Sequence, residues 1–123
     1  MKFAIPLFII LVPVLANAEG AKQVLDCTAS KICTDAGICT PSAKKTSFTL
    51  SPLKIGGAYV IKYNDTTANM QATSDSGPFV WTEDNGTQQT LLAAGDKSIL
   101  WHRMNTGLPP SSTIHFLTCE DAS

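Results

Sequence analysis

The sequence has little charge, no basic stripe and, beyond its first residues, no long apolar run, and these shortages remove whole classes of function. Charged residues make up 15% and aromatics 7% of the 123 residues. Nine Lys/Arg are scattered among ten Asp/Glu, for a formal net charge of −1. A nucleic-acid-binding domain carries a basic stripe or patch, and none is present here. A disordered chain is more charged and less apolar than one with 44% hydrophobic residues. Beyond residue 18, no apolar run approaches the roughly 20 residues that a membrane-spanning helix requires.

Catalytic patterns are equally scarce. No serine lies in a G-x-S-x-G elbow. Gly56-Gly57 reads as a hairpin turn and not as a phosphate-cradling loop. Glu83 and Asp84 are consecutive, so their side chains diverge, whereas glycoside hydrolysis needs two convergent carboxylates. A redox protein would use C-x-x-C, which is missing. The expectation is a non-enzymatic protein without a cofactor.

What is present begins with MKFAIPLFIILVPVLANA. Lys2 supplies a positive start, Phe3 to Leu15 an apolar stretch, and Ala16-Asn17-Ala18 a small-residue cleavage site before Glu19. Residues 1–18 therefore read as a signal peptide cleaved near Ala18, and 19–123 as one domain of a periplasmic or secreted protein. No cysteine follows the cleavage site, which argues against a lipid anchor. The short signal favours a bacterial periplasm, where Asn64-Asp65-Thr66 and Asn85-Gly86-Thr87 are turns; in a eukaryotic secretory route they would be glycosylation acceptors.

Cys27, Cys33, Cys39 and Cys119 form an even set, as expected of two disulfides in an oxidising compartment. Three connectivities exist in principle. Cys33 and Cys39 flank a short loop containing Gly37, while Cys27 and Cys119 lie in strand-like segments near the two ends of the mature chain. This favours Cys33–Cys39 and Cys27–Cys119. Chain entropy assigns the long closure about 4.6 kcal/mol and the short one about 2.4 kcal/mol. A zinc–thiolate site is disfavoured, because the spacing lacks a C-x2-C knuckle.

Turn residues punctuate the mature chain at the spacing of an all-β domain. Strands are expected at 22–28, 46–51, 58–63, 68–73, 79–83, 87–92, 98–104 and 112–119, with 29–40 a cysteine-bounded loop. The expected fold is a small antiparallel meander of about eight strands, barrel-like and disulfide-stapled. A two-residue turn at Asn85-Gly86 would pair Trp81 with Thr90. A turn at Gly95-Asp96 would pair Leu92 with Ile99 and Thr90 with Trp101, and a last loop around Gly107 would pair Trp101 with Phe116. One face then carries Phe79, Trp81, Leu92, Ile99, Trp101 and Phe116. The other carries Val80, Leu91, Leu100, Leu117 and Cys119, with His102 opposite His115. Both are apolar, so one is core and the other needs a cover, a partner or a ligand.

Two candidate sites follow. His102 and His115, as direct cross-strand neighbours, could share a zinc or copper ion, although no third ligand accompanies them. Trp81 and Trp101, with Arg103 beside them and facing Glu83, could anchor an envelope or host protein or a glycan. The plainer and preferred reading of the same aromatics is the core of a small barrel.

The segments Gly77-Pro78-Phe79-Val80-Trp81, Gln89-Thr90-Leu91-Leu92, Leu100-Trp101-His102 and Phe116-Leu117-Thr118-Cys119 resemble a group of small exported proteins of alphaproteobacteria. The resemblance extends to the early cysteine cluster and implies an exported location, with no activity attached. In size, compartment and strand count alone, the chain is also similar to the periplasmic inhibitors of C-type lysozyme. Their serine- and lysine-bearing inhibitory loop has no counterpart here. The function expected from the sequence is an exported, non-enzymatic binding or inhibitory module, with a periplasmic metal-handling protein as the alternative.

Overall fold

The computed structural model describes residues 22–54 and 56–123. The signal-like segment and its cleavage site lie outside the described residues. Nine strands follow in chain order: β1 (Gln23–Thr34), β2 (Cys39–Pro41), β3 (Lys45–Pro52), β4 (Ala58–Tyr63), β5 (Thr66–Ala72), β6 (Phe79–Thr82), β7 (Gln88–Ala93), β8 (Ser98–Asn105) and β9 (Ser111–Asp121). Every ladder is antiparallel. Strands β3 to β9 form a meander that closes where β9 pairs with β1, giving an eight-stranded barrel with β2 as an extra piece. Closure leaves no long sheet edge exposed for pairing with another chain.

All eight expected strands are present, and the expected loop at 29–40 holds additional strand. β1 runs on to Thr34 through an irregularity between Ala29 and Lys31. Its second half pairs with β9 on one side and with β2 on the other. β2 and β3 are successive pieces laid along β1, joined across the gap by bonds from Ala29 N to Lys44 O and from Ser42 N to Ser30 O. Both expected disulfides are formed, and each joins residues directly opposite one another: Cys27 with Cys119 across the barrel seam, Cys33 with Cys39 at β2.

The period of two along each strand divides the side chains cleanly. Inside lie Cys27, Ala29, Phe48, Leu50, Ile61, Tyr63, Met70, Trp81, Leu91, Trp101, Leu117 and Cys119, all buried. The interior is filled by edge-on aromatic packing: Trp101 meets Phe48 at 5.1 Å and Tyr63 at 5.5 Å, and Tyr63 meets Trp81 at 5.6 Å. A barrel of eight strands is just wide enough to be filled by side chains or to hold one small ligand. This one is filled through its middle.

The expected register is displaced by one residue at three hairpins. The structure pairs Trp81 with Gln89, Leu91 with Trp101, and Trp101 with His115. The first two displacements cancel, so β6 and β8 face as expected while β7 and β9 are turned over. Leu91 and Leu117 are therefore core, and Leu92 and Phe116 are outside.

Candidate functional site

The two ends of the barrel differ. At the end reached by the β4–β5, β6–β7 and β8–β9 connections, a polar network closes the interior. Tyr63 Oη donates to Glu83 Oε1 and accepts from Trp81 Nε1 at 3.1 Å. Glu83 Oε1 also faces Arg103 Nη2 at 3.5 Å. Arg103 Nε donates to Gln89 Oε1 at 3.2 Å, and Trp101 Nε1 donates to the same oxygen at 2.8 Å. The guanidinium carbon of Arg103 sits 4.8 Å from the Trp101 ring centroid. These contacts link six side chains from β4, β6, β7, β8 and the β6–β7 loop.

The chemistry of the network follows from burial. Two converging N–H donors fix the Gln89 amide with its oxygen toward them, which leaves Nε2 buried without a partner. Such an orphan donor is tolerated because turning the amide would set its NH2 against both donors. Burial, then the hydrogen bond to Glu83, pushes the Tyr63 phenol well above its ordinary value, so it stays protonated as a donor. His115 lies 4.9 Å from the Trp101 ring and 3.4 Å from Thr113 Oγ1. Burial, with repulsion from Arg103 and Lys44, lowers its pKa to about 4.

The sequence-predicted residues are thus placed as follows. Trp81, Trp101 and Arg103 come together, but inside: Trp81 is 4% and Trp101 2% exposed. They hold the plug and do not present a stacking platform to a glycan or a protein. The expected pairing of His102 with His115 is not made. His102 faces outward opposite Ile114, and His115 faces inward opposite Trp101. The cause is the one-residue displacement at β8–β9, which turns β9 over relative to β8. Among the described residues, no group of three or more His, Cys, Asp or Glu is arranged to hold a metal.

The opposite end, where the β3–β4, β5–β6 and β7–β8 connections and both ends of the described chain lie, is open. A cavity of about 480 Å³ occupies this mouth. Leu25, Leu50, Phe79, Leu91 and Ile99 form its apolar floor, with Ala93 on the wall. Asp75, Asp96, Lys97, Glu120 and Asp121 stand around it. The sequence places Phe79, Leu91 and Ile99 on strand faces and Asp96 in a turn, but joins none of the lining residues into a site. The signal that would have found them is topological: with β1 and β9 adjacent, inward positions at the ends of β1, β3, β6, β7 and β8 converge on one opening. Outside the barrel, Val80 and Leu92 are exposed and share the outer face of β6 to β9 with Leu100, Met104, Ile114 and Phe116. Lys31 Nζ lies 4.5 Å over the Phe116 ring on this face.

No helix among the described residues is long and apolar enough to cross a membrane. Comparison with protein-family models, with curated proteins and with solved structures finds no match.

Proposed function

We propose that this is an exported, non-enzymatic binding module that takes a small amphipathic ligand at the open mouth of its barrel. The observation that carries the proposal is the asymmetry of the interior: one end is sealed by the Tyr63–Glu83–Arg103–Gln89 network, the other opens over an apolar floor. Ligand sites favour concave, largely apolar spaces of a few hundred Å³, and the mouths of β-barrels are a preferred place for them. Export, with cleavage near Ala18, is the companion reading. It is supported by the three-part leader and by the pairing of all four cysteines, which suits an oxidising compartment.

The test is amide chemical-shift mapping on the oxidised mature chain, titrated with simple alkyl amphiphiles. Saturable shifts should concentrate at Leu91, Ala93 and Ile99. Ala93→Phe, which puts a ring on the cavity wall at a strand position that accepts it, should abolish them while the fold persists. Shifts confined to the outer face around Leu92, Leu100 and Phe116, or unchanged binding by Ala93→Phe, would overturn the assignment of the mouth.

A further inference from the structure

The charge around the mouth defines the kind of head group it accepts. Four carboxylates, Asp75, Asp96, Glu120 and Asp121, line the cavity with a single cation, Lys97. Lys97 Nζ is already engaged, 3.3 Å from both carboxylate oxygens of Glu120. Neither ion pair among the described residues neutralises Asp75, Asp96 or Asp121. Asp121 Oδ1 accepts the Ser123 backbone N–H at 2.9 Å, and that bond lowers the pKa of its carboxyl, keeping it ionised. Lys22 and Lys54 belong to the same end of the barrel but not to the cavity lining. Hydrophobic side chains lie directly beneath this ring of negative charge, so an apolar body would be desolvated while its polar end rests among the carboxylates. Low-dielectric walls strengthen such an attraction relative to open water.

We infer that the mouth selects cationic amphiphiles: molecules with an apolar chain or ring that enters over Leu25, Leu50, Phe79, Leu91 and Ile99, and an ammonium group held by Asp75, Asp96 and Asp121. This inference rests on the mouth being the ligand site and adds the class of ligand. An anionic amphiphile meets like charge at the rim and is rejected, and a neutral one gains only the apolar contact.

A matched set of probes separates the two statements. Octylammonium, octanol and octanoate share the same chain, and their affinities for the oxidised mature protein are to be measured by calorimetry at neutral pH and low salt. Octylammonium should bind about ten-fold more tightly than octanol, and octanoate more weakly still. The triple change Asp75→Asn, Asp96→Asn, Asp121→Asn should bring octylammonium to within about two-fold of octanol without altering octanol binding. Lys97→Gln, which frees Glu120, should tighten octylammonium further. Saturable binding of all three probes with equal affinity would overturn the charge selection alone and leave the mouth as the site. Binding by none of them would overturn the mouth reading and this inference with it.

Discussion

At the residue scale, the barrel interior is notable for the polar groups it tolerates. Gln89 and His115 are among the buried positions, 1% and 6% exposed. Each sits beside an indole that supplies a donor or a ring face: Trp101 bonds to Gln89 and packs against His115. A buried histidine close to two cations is held neutral, and this has a consequence for stability. The folded-state pKa of His115, about 4, lies below the ordinary 6.5. Between these values the unfolded chain binds a proton at this position and the folded chain does not, so stability rises with pH across the window. As pH falls from 6.5 towards 4 the wild type should lose about 1–2 kcal/mol from this group, with solvent screening at the barrel end discounting the full linkage value. Carboxylates titrate in part of the same range, so the quantity to read is the difference from His115→Gln. Urea unfolding at several pH values should give the wild type the steeper acid slope. Parallel slopes in the two proteins would show that His115 is not held neutral by its surroundings.

At the scale of elements, strand positions were readable and registers were not. Alternating apolar residues and turn residues located all eight strands, because those signals are local. Register depends on one residue more or less in a turn. Asn85-Gly86 carries a two-residue hairpin signal, yet the hairpin is wider: Thr82 pairs with Gln88, Glu83 N bonds to Thr87 O, and Gly86 N bonds to Glu83 O. Gly86 has φ 85°, the left-handed position that ends a three-residue loop. The same widening occurs at Gly95–Lys97, where Ala93 pairs with Ile99 and Ala94 N bonds to Ser98 O. Each extra residue turns a strand over, and the two cancel, so Trp81 and Trp101 stay on one face; the separate one-residue displacement at β8–β9, where Trp101 pairs with His115, is what parts the two histidines. Two glycines separate conformational from steric demands. A Cβ on Gly86 meets only Thr106 Oγ1 at 3.9 Å, whereas on Gly57, φ 73°, it falls 2.4 Å from Ala72 O. Gly86→Ala should cost about 1–2 kcal/mol and Gly86→Asn less, since Asn tolerates the left-handed region. Gly57→Ala should cost more than about 2 kcal/mol, and Gly57→Asn should not recover it, because the β4 and β5 backbones must separate. Equal losses in the two alanine variants, measured by urea unfolding, would refute the steric part.

At the scale of the whole molecule, the fold stands on a contact between its ends. β1 and β9 form the most extensive ladder, nine residue pairs from Leu25↔Asp121 to Thr34↔Thr113. Cys27 and Cys119, separated by 92 positions in sequence, are joined within that ladder. The meander from β3 to β9 assembles from neighbouring hairpins, each closing a short loop, but the seam requires the chain to meet itself across nearly its whole length. Loop-closure entropy makes this the costly step of folding, and non-local pairing of this kind slows it. A covalent link at the seam removes that cost in the unfolded state, whereas Cys33–Cys39, six positions apart, constrains a turn that is already local. Cys27→Ala/Cys119→Ala should therefore lose about 3–5 kcal/mol and refold more slowly than wild type with its disulfides intact. Cys33→Ala/Cys39→Ala should lose about half as much and refold at a near-wild-type rate. Stopped-flow refolding from urea distinguishes the two. A Cys27→Ala/Cys119→Ala protein that refolds as fast as the wild type would mean that the seam forms after the rate-limiting step, with the local hairpins setting the pace.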